Sequence, residues 1–224
     1  MVSPDHSAVR PERVAIVGAG DLGFSTLRLL KQIPEQIPVG FFDDTCHSET
    51  IHGLPILGKL ESIIPLWHSK AFDGIVIAIA YKHMKFRREL FHQLQDQGIR
   101  FCSIIHPSTV RAAETVIGAG TILFPGCTLD TGAHIGDNCI LNAGVTIAHD
   151  SQIEDHTIFG PGVTLAGFTK VEHSCFLGTG TTVIDNITIN ACIFTGAGTV
   201  VTKDLTDPFL YVGVPARPLR PVTE

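Results

Sequence analysis

The chain has no apolar run long enough to cross a membrane. Its longest such run covers residues 75–80, far below the roughly 20 residues that a spanning helix needs. Residues 1–12 also lack the apolar core of a signal peptide. We therefore expect neither membrane insertion nor secretion, and interpret residues 1–12 as a flexible tail.

An excess of basic residues is absent as well. Sixteen Lys and Arg stand against 22 Asp and Glu, which gives a formal net charge of −6. Nucleic-acid binding depends on a basic surface, so we do not expect nucleic acid as a partner. Any anionic ligand would need a local basic cluster.

Paired cysteine motifs are missing too. The six cysteines show no CxxC spacing, so the sequence predicts neither a disulfide framework nor a metal site. Cys127, Cys139 and Cys175 fall at positions where a small apolar side chain is expected. Unpaired cysteines of this kind favour a reducing, cytoplasmic location.

What the chain does contain is a repeat of six residues from Ile105 to Thr206, in seventeen consecutive hexads without an insertion. The first position is aliphatic or Phe in every hexad except those that begin at Arg111 and Thr195. The fifth position is never charged and never long and polar. A period of six fits neither an amphipathic helix nor a simple alternating strand.

The period does fit a coil with three flat sides. The first and fifth residues of each hexad would point inward, and Gly, Asn and Asp would gather at the corners, where unusual backbone angles occur. Three hexads make one turn of 18 residues, and turns would stack at about 4.8 Å. Between five and six stacked coils are expected over residues 105–206.

The stretch before the coil alternates strands and helices. An apolar strand over residues 13–17 leads into a helix that begins near Phe24, and a second strand ends at Asp43 and Asp44. Residues 53–58 are interpreted as a turn-rich connector. This alternation predicts a small parallel α/β domain over residues 13–104.

The glycines Gly18, Gly20 and Gly23 follow the first strand with dinucleotide-fingerprint spacing, and Asp43 lies 20 residues after the last of them. An NAD site is one interpretation. However, only about 90 residues precede the coil, too few for two mononucleotide halves, so we favour half a Rossmann fold that holds one nucleotide. A tight turn without any ligand also remains open.

Together, the two halves resemble one group of bacterial enzymes, the hexapeptide-repeat sugar acetyltransferases. This group includes the bacillosamine- and perosamine-type nucleotide-sugar N-acetyltransferases and the sialic acid O-acetyltransferases. The resemblance is carried by the stretches GAGDLG, FFDD, IHPST, LNAGVTIAHDSQIEDH and VGVPAR. It implies an α/β N-terminal half-Rossmann domain, an all-β left-handed parallel β-helix over 105–206 and a C-terminal cap over 207–224.

The resemblance also implies a function: transfer of acetyl from acetyl-CoA to the amino group of a nucleotide-linked amino-deoxy sugar, by a homotrimer and without a metal. Its nucleotide-sugar contacts correspond to Gly20, Asp21, Leu22, Asp43 and Asp44. Its acetyl-CoA groove corresponds to Ile158, Gly167, Thr179 and Ala197, with Lys203 and Arg217 as candidate phosphate partners or, alternatively, a solvated basic rim.

His149 corresponds to the general base of this group. By its third position in the hexad it should face outward, and imidazole exchanges protons near neutral pH. Asp150 follows and would orient the ring, while Asn142 would position the acceptor or the donor carbonyl. His134, His156 and His173 are further histidines predicted to point outward from the coil surface.

Two departures bear on the acceptor. Many of these enzymes have His where this chain has Leu22, and some have a second coil His where it has Ile158. Alternatives therefore remain: a sialic acid-type O-acetyltransferase, or a non-catalytic nucleotide-binding trimer. A zinc enzyme of the γ-carbonic anhydrase type is disfavoured, because that group's pair of histidines five residues apart is absent.

Overall fold

The computed structural model describes residues 10–222, so most of the predicted tail lies outside the described residues. The α/β domain contains β1 (Glu12–Val17), α1 (Asp21–Leu30), β2 (Gln36–Phe42), β3 (Thr50–Ile51), β4 (Leu54–Gly58), α2 (Ile63–His68), β5 (Gly74–Ile77) and α3 (Met84–Asp96). The sheet order is β3-β4-β2-β1-β5. All pairs are parallel except β3 with β4.

Two local predictions in this domain were wrong. The stretch 53–58 is mostly strand, because Ile56 and Leu57 pack on opposite sides of the sheet. Only His52 and Gly53 form the turn, both with positive φ. Helix α1 begins at Asp21, earlier than expected, so the end of the glycine loop is already the first helical turn.

The coil consists of two-residue strands at six-residue intervals. They are β6 (Ile104–Ile105), β7 (Val110–Arg111), β8 (Val116–Ile117), β9 (Ile122–Leu123), β10 (Thr128–Leu129), β11 (His134–Ile135), β12 (Ile140–Leu141), β13 (Thr146–Ile147), β14 (Gln152–Ile153), β15 (Ile158–Phe159), β16 (Thr164–Leu165), β17 (Lys170–Val171), β18 (Phe176–Leu177), β19 (Thr182–Val183), β20 (Thr188–Ile189), β21 (Phe194–Thr195) and β22 (Val200–Val201).

Each coil strand from β6 to β19 pairs in parallel with the strand 18 residues further on, as Ile140 does with Ile158. Every third strand therefore shares a sheet. We name the three faces sheet A (β6, β9, β12, β15, β18 and β21), sheet B (β7, β10, β13, β16, β19 and β22) and sheet C (β8, β11, β14, β17 and β20). The predicted left-handed parallel β-helix is confirmed. At the C-terminal end of the coil, which we call its top, β23 (Phe209–Val212) and β24 (Arg217–Pro221) extend sheet A.

Inside the coil, first and fifth hexad residues from Leu123 to Leu205 form one continuous apolar core. Between the sheets lie three edges, which we name AB, BC and CA after the sheets they join. Every sixth residue from Gly120 to Gly198 sits at an edge with positive φ. These residues are mostly Gly, Asn and Asp, as predicted, but His156, Phe168, Ser174 and Cys192 adopt the same conformation.

The α/β domain packs on sheet A. The outward isoleucines of that sheet, Ile104, Ile122, Ile140 and Ile158, are buried in one cluster with residues of β1 and α1. This packing fixes the position of the five-stranded sheet of the α/β domain relative to sheet A of the three-sided coil. No helix in the described range of 10–222 is long and apolar enough to span a membrane.

Candidate functional site

A cavity of about 500 Å³ opens at the carboxyl ends of β1, β2 and β5. In open α/β sheets, ligands bind at the carboxyl ends of the strands, in the crevice where the strand order reverses. Here that point lies between β1 and β5. We call this cavity the nucleotide pocket, and Gly20, Asp21, Leu22, Asp43 and Asp44 all line it.

The glycine loop has the shape that its sequence requires. Gly18 has a φ of 104°, a value that favours glycine. A Cβ on Gly23 would lie 2.0 Å from the carbonyl oxygen of Gly18, so only glycine lets the first turn of α1 pack against the end of β1. Gly20 caps α1 without a side-chain hydrogen bond, which leaves the positive end of that helix open to the pocket.

The two acidic residues after β2 differ in how much of their hydrogen-bonding capacity is free. Asp43 accepts hydrogen bonds from the Ala19 and Cys46 amides and from the amide and hydroxyl of Thr45. Burial acts to raise the pKa of Asp43, but these bonds outweigh it and lower that pKa. Asp44 is exposed and accepts one bond, from the Leu60 amide. Asp43 thus holds two loops together, and Asp44 is the freer carboxylate.

Sequence reasoning missed the third wall of the nucleotide pocket. It follows β5 and includes Ala80, His83 and Phe86. This loop carries no glycine motif and no acid pair, so only the sheet order brings it beside the glycine loop.

A second cavity, of about 250 Å³, adjoins the first, and we call it the edge pocket. Leu22 and Ala80 line both cavities. From the coil, the edge pocket is lined by Asn142, Ile158 and Thr179, among others. Thus residues predicted for three roles meet in one place: Leu22 for the nucleotide sugar, Asn142 for positioning, and Ile158 and Thr179 for acetyl-CoA. The side-chain Nδ2 of Asn142 donates a hydrogen bond to the Phe159 carbonyl oxygen at 2.7 Å.

His149 lies on the BC edge, half-exposed as predicted. Its Nδ1 is 3.0 Å from Oδ2 of Asp150. A carboxylate only accepts, so the ring donates Nδ1–H and leaves the Nε2 lone pair free. A Cβ on Gly167 would lie 2.7 Å from Nε2 and Cε1 of His149. The imidazole therefore packs directly against the backbone of Gly167, where a side chain would not fit.

Phe168 is a further residue at this edge that sequence reasoning did not select. It is 56% exposed, and its ring stands edge-on to that of His149, with centroids 5.0 Å apart. The sequence did contain a signal for this residue, because Phe168 occupies a corner position where Gly, Asn or Asp is expected.

Within one protomer the predicted site residues fall into two groups. Asn142, Thr179 and Ala197 follow strands of sheet A and so lie on the AB edge, and the first two line the edge pocket together with Ile158. His149, Asp150, Gly167 and Lys203 follow strands of sheet B and lie on the BC edge, which is opposite the face that carries the α/β domain. Arg217 is on β24, at the top of sheet A.

The prediction that His156 is a surface residue was wrong. It is 4% exposed, because α3 packs along the CA edge and covers it. Its Nδ1 is 3.0 Å from the Asn138 amide nitrogen, and its Nε2 is 3.2 Å from Nε2 of His92. The side chain of Arg87, also buried, donates to the Asn138 carbonyl oxygen beside it.

This burial predicts acid sensitivity. Desolvation, followed by the charges of Arg87, His92, Arg88 and His173, lowers the pKa of His156 to about 3. The neutral ring therefore stabilises the fold fully above the ordinary imidazole pKa of about 6.5, and this contribution is lost as pH falls towards about 3. Between these values we expect His156 to add a slope of about 1.4 kcal/mol per pH unit to the free energy of unfolding.

Urea denaturation between pH 7 and pH 4.5 measures this slope. His156→Asn is the matched variant, because Asn tolerates the positive φ of 61° at this position. The variant should show a shallower dependence on pH than the native chain. Equal slopes in the two proteins would contradict the assignment.

The buried thiols do not suit nucleophilic catalysis. Cys127, Cys139 and Cys175 are fully buried in the coil, as predicted. Burial raises the pKa of Cys127 to about 11 and that of Cys139 to about 12, so neither forms a thiolate at neutral pH.

Comparison with known proteins agrees with both halves of the chain. Residues 13–94 match the family model for the PglD N-terminal domain. Residues 114–149 and 132–167 match the model for the bacterial transferase hexapeptide, which describes six repeats. The chain therefore combines a domain similar to the PglD N-terminal domain with a coil similar to the bacterial transferase hexapeptide repeats.

Similar solved structures include acetyltransferases, which confirms the predicted resemblance. PerB from Caulobacter crescentus, in complex with CoA and GDP-perosamine, is 29% identical with a TM-score of 0.85, over 92% of this chain and 96% of that one. The acetyltransferase domain of PglB from Neisseria gonorrhoeae, in complex with acetyl coenzyme A, is 25% identical with a TM-score of 0.85, over 93% and 100%.

Curated sequences match over shorter stretches. GDP-perosamine N-acetyltransferase from Escherichia coli O157:H7 is 28% identical over 125 residues, 54% of this chain and 54% of that protein. The chain spans between 12% and 54% of the length of the curated relatives that it matches.

Proposed function

We propose that this protein transfers acetyl from acetyl-CoA to the amino group of a nucleotide-linked amino-deoxy sugar, with His149 as general base. The observation that carries the proposal is the junction of the two pockets at Leu22 and Ala80. A nucleotide in the first pocket would extend its sugar into the second, beside Asn142. The apolar wall that Leu22 and Ile158 give the edge pocket suits a sugar with few hydroxyl groups.

The relatives support both substrates. PerB was solved with CoA and GDP-perosamine, and the PglB domain with acetyl coenzyme A. A histidine is also the residue replaced in two variant structures of the Caulobacter protein. These facts belong to the relatives, and we extend them to this chain on the strength of the shared fold and pockets.

In the proposed reaction the sugar amine attacks the thioester carbonyl carbon. Nε2 of His149 accepts the proton that the amine loses, the carbon–sulfur bond breaks, and CoA leaves as the thiolate or thiol. Asp150 stabilises the imidazolium that forms and keeps the ring in the productive tautomer. Most of the acceleration would come from holding amine and thioester in position.

We propose that this reaction needs more than one protomer, because the edge pocket and His149 lie on different edges of the coil. We propose a homotrimer in which sheet B faces the three-fold axis. Its outward residues form an uncharged, β-branched column, whereas sheet A is covered by the α/β domain and sheet C carries His134, Gln152 and Lys170. The sheet B column is Val110, Thr128, Thr146, Thr164, Thr182 and Val200.

This arrangement brings the two groups of residues together. When three parallel prisms turn the same face inward, the AB edge of one lies beside the BC edge of the next. Asn142 of one protomer would then face His149 of its neighbour. The complete site would be formed at each of the three seams.

The BC edge above His149 suits the acetyl-CoA arm. Phe168 and Ile184 are exposed apolar residues there, and Lys203 lies three coils above His149, about 14 Å away at the usual strand spacing. We propose that the apolar residues contact the pantetheine arm and that Lys203 pairs with a CoA phosphate. Arg217, at the top of sheet A, would approach the same ligand from the other side of the seam.

Gly167 provides a test of the ring position that removes no functional group. We expect Gly167→Ala to lower kcat by about tenfold to a hundredfold, because a small displacement of a catalytic group is costly and the new methyl would overlap the His149 imidazole. The change should have little further effect in a His149→Ala background. Full turnover by Gly167→Ala would contradict the proposed position of the base.

The function itself is tested by thiol release from acetyl-CoA in the presence of UDP-, GDP- and dTDP-linked 4-amino sugars, with free sialic acid as a control acceptor. We expect turnover with one of the amino sugars and none with sialic acid. Turnover with sialic acid alone would indicate O-acetylation, and no turnover with binding intact would favour the non-catalytic trimer.

A further inference from the structure

The N-terminus of α3 violates the charge preference of helices. Acidic side chains are favoured at the positive end of a helix dipole and basic ones are disfavoured. The first turn of α3 contains no acid, and residues 82–88 (KHMKFRR) hold five basic side chains. Local rules broken in this way often mark functional sites.

Packing explains two of these five basic side chains. Arg87 is buried and donates to the Asn138 carbonyl oxygen, and Arg88 donates to Ser174 Oγ at 3.0 Å. Both anchor α3 to the CA edge. Lys82, His83 and Lys85 are exposed and make no such anchor. Positive charge at this end of a helix costs helix stability unless an anion binds nearby.

The start of α3 also lies at the nucleotide pocket. Because β5 is adjacent to β1, α3 and α1 both begin at the same crevice, and neither has a side-chain cap. The positive ends of both helix dipoles are therefore directed at the crevice without a side-chain cap. The other walls carry Asp21, Asp43 and Asp44, so α3 supplies the positive side of an otherwise acidic pocket.

Phe86 is the second unexplained residue of this wall. It is 46% exposed, although it lines the nucleotide pocket one turn after His83. An exposed aromatic face in a ligand pocket is suited to stacking on a base. Neither residue belongs to the glycine loop or the acid pair.

We propose that the start of α3 forms the second wall of the nucleotide site, where His83 donates a hydrogen bond to the diphosphate and Phe86 stacks on the base. This inference rests on the proposed function, which supplies the nucleotide. It assigns binding of the nucleoside diphosphate to two residues that the sequence motifs do not include.

The test is calorimetric titration of the full-length protein with UDP, GDP and dTDP, followed by titration of variants with whichever binds best. We expect His83→Ala to weaken binding about tenfold or more, as loss of a hydrogen bond to a charged group does. Phe86→Leu should weaken it about fivefold or more and Phe86→Tyr should retain it, because stacking needs an aromatic face. Circular dichroism checks that each variant is folded.

Lys85→Ala is the matched control, since Lys85 shares the first turn of α3 but does not line the pocket. It should change binding by less than about twofold, because exposed charges interact weakly. An equal loss in Lys85→Ala and His83→Ala would overturn the specific contact, as would native affinity in His83→Ala and Phe86→Leu. If the native protein bound none of the three nucleotides, the proposed substrate class would fail together with this inference.

Discussion

His149→Ala is expected to lower kcat by at least about a hundredfold, the usual effect of removing a general base. The loss should appear in kcat more than in KM, because the imidazole acts on the proton of the attacking amine and not on either substrate's anchor. Steady-state thiol release with a saturating acceptor measures it. Asp150→Asn should also lower kcat strongly, because an amide can donate to Nδ1 and so favour the tautomer in which Nε2 carries the proton and cannot act as a base.

The variant should remain folded, because His149 is half-exposed and its only side-chain hydrogen bond in the described part of the chain is to Asp150. Thermal unfolding and size-exclusion chromatography serve as controls. Near-native turnover in a correctly assembled His149→Ala protein would remove the residue from its proposed role. The other exposed histidines of the coil, His134 and His173, would then be the next to replace.

Mixed trimers are expected to recover activity that each parent lacks. Ala80→Trp would fill the junction of the two pockets and block the acceptor, while His149→Ala removes the base. If each site combines the pocket of one protomer with the His149 of its neighbour, random mixing in equal amounts pairs an intact pocket with an intact base in about a quarter of the sites. Activity should then rise from about 1% or less of native to about 25%.

Co-expression or joint refolding of the two variants produces the mixture. A double variant that carries both changes on one chain is the control. Its trimers contain no intact pocket and no His149, so they should stay inactive. Absence of recovery from the mixture, with mixed trimers demonstrated by mass, would mean that pocket and base act within one protomer. That result would refute the shared site but leave the fold unaffected.

The coil was predictable almost residue by residue. Burial of Cys127, Cys139 and Cys175, the inward first positions and the outward placement of His149 all follow from a period of six. A strict repeat converts sequence position directly into direction, because each coil is built on the one before it. Corner residues such as His156 and Phe168 were less predictable, because stacking imposes their positive φ against local preference.

In the α/β domain the sequence indicated the glycine loop and the acid pair but not their partners. The motif Gly18, Gly20 and Gly23 predicts a tight turn followed by a helix whose N-terminus has no side-chain cap. The hydrogen bonds that Asp43 accepts from Thr45 and Cys46 are local, but the bond from the Ala19 amide depends on two loops that meet only after folding. His83 and Phe86 enter the pocket because β5 pairs with β1 across the sheet.

By itself, then, the sequence determined the two architectures and the identity of an outward imidazole with a neighbouring carboxylate, because these depend on short-range periodicity and adjacent residues. Only the tertiary structure decided that α3 buries His156 and that the two pockets join at Leu22 and Ala80. The physical reason is that docking of the α/β domain on sheet A sets distances between residues far apart in the chain, and no local pattern encodes those distances.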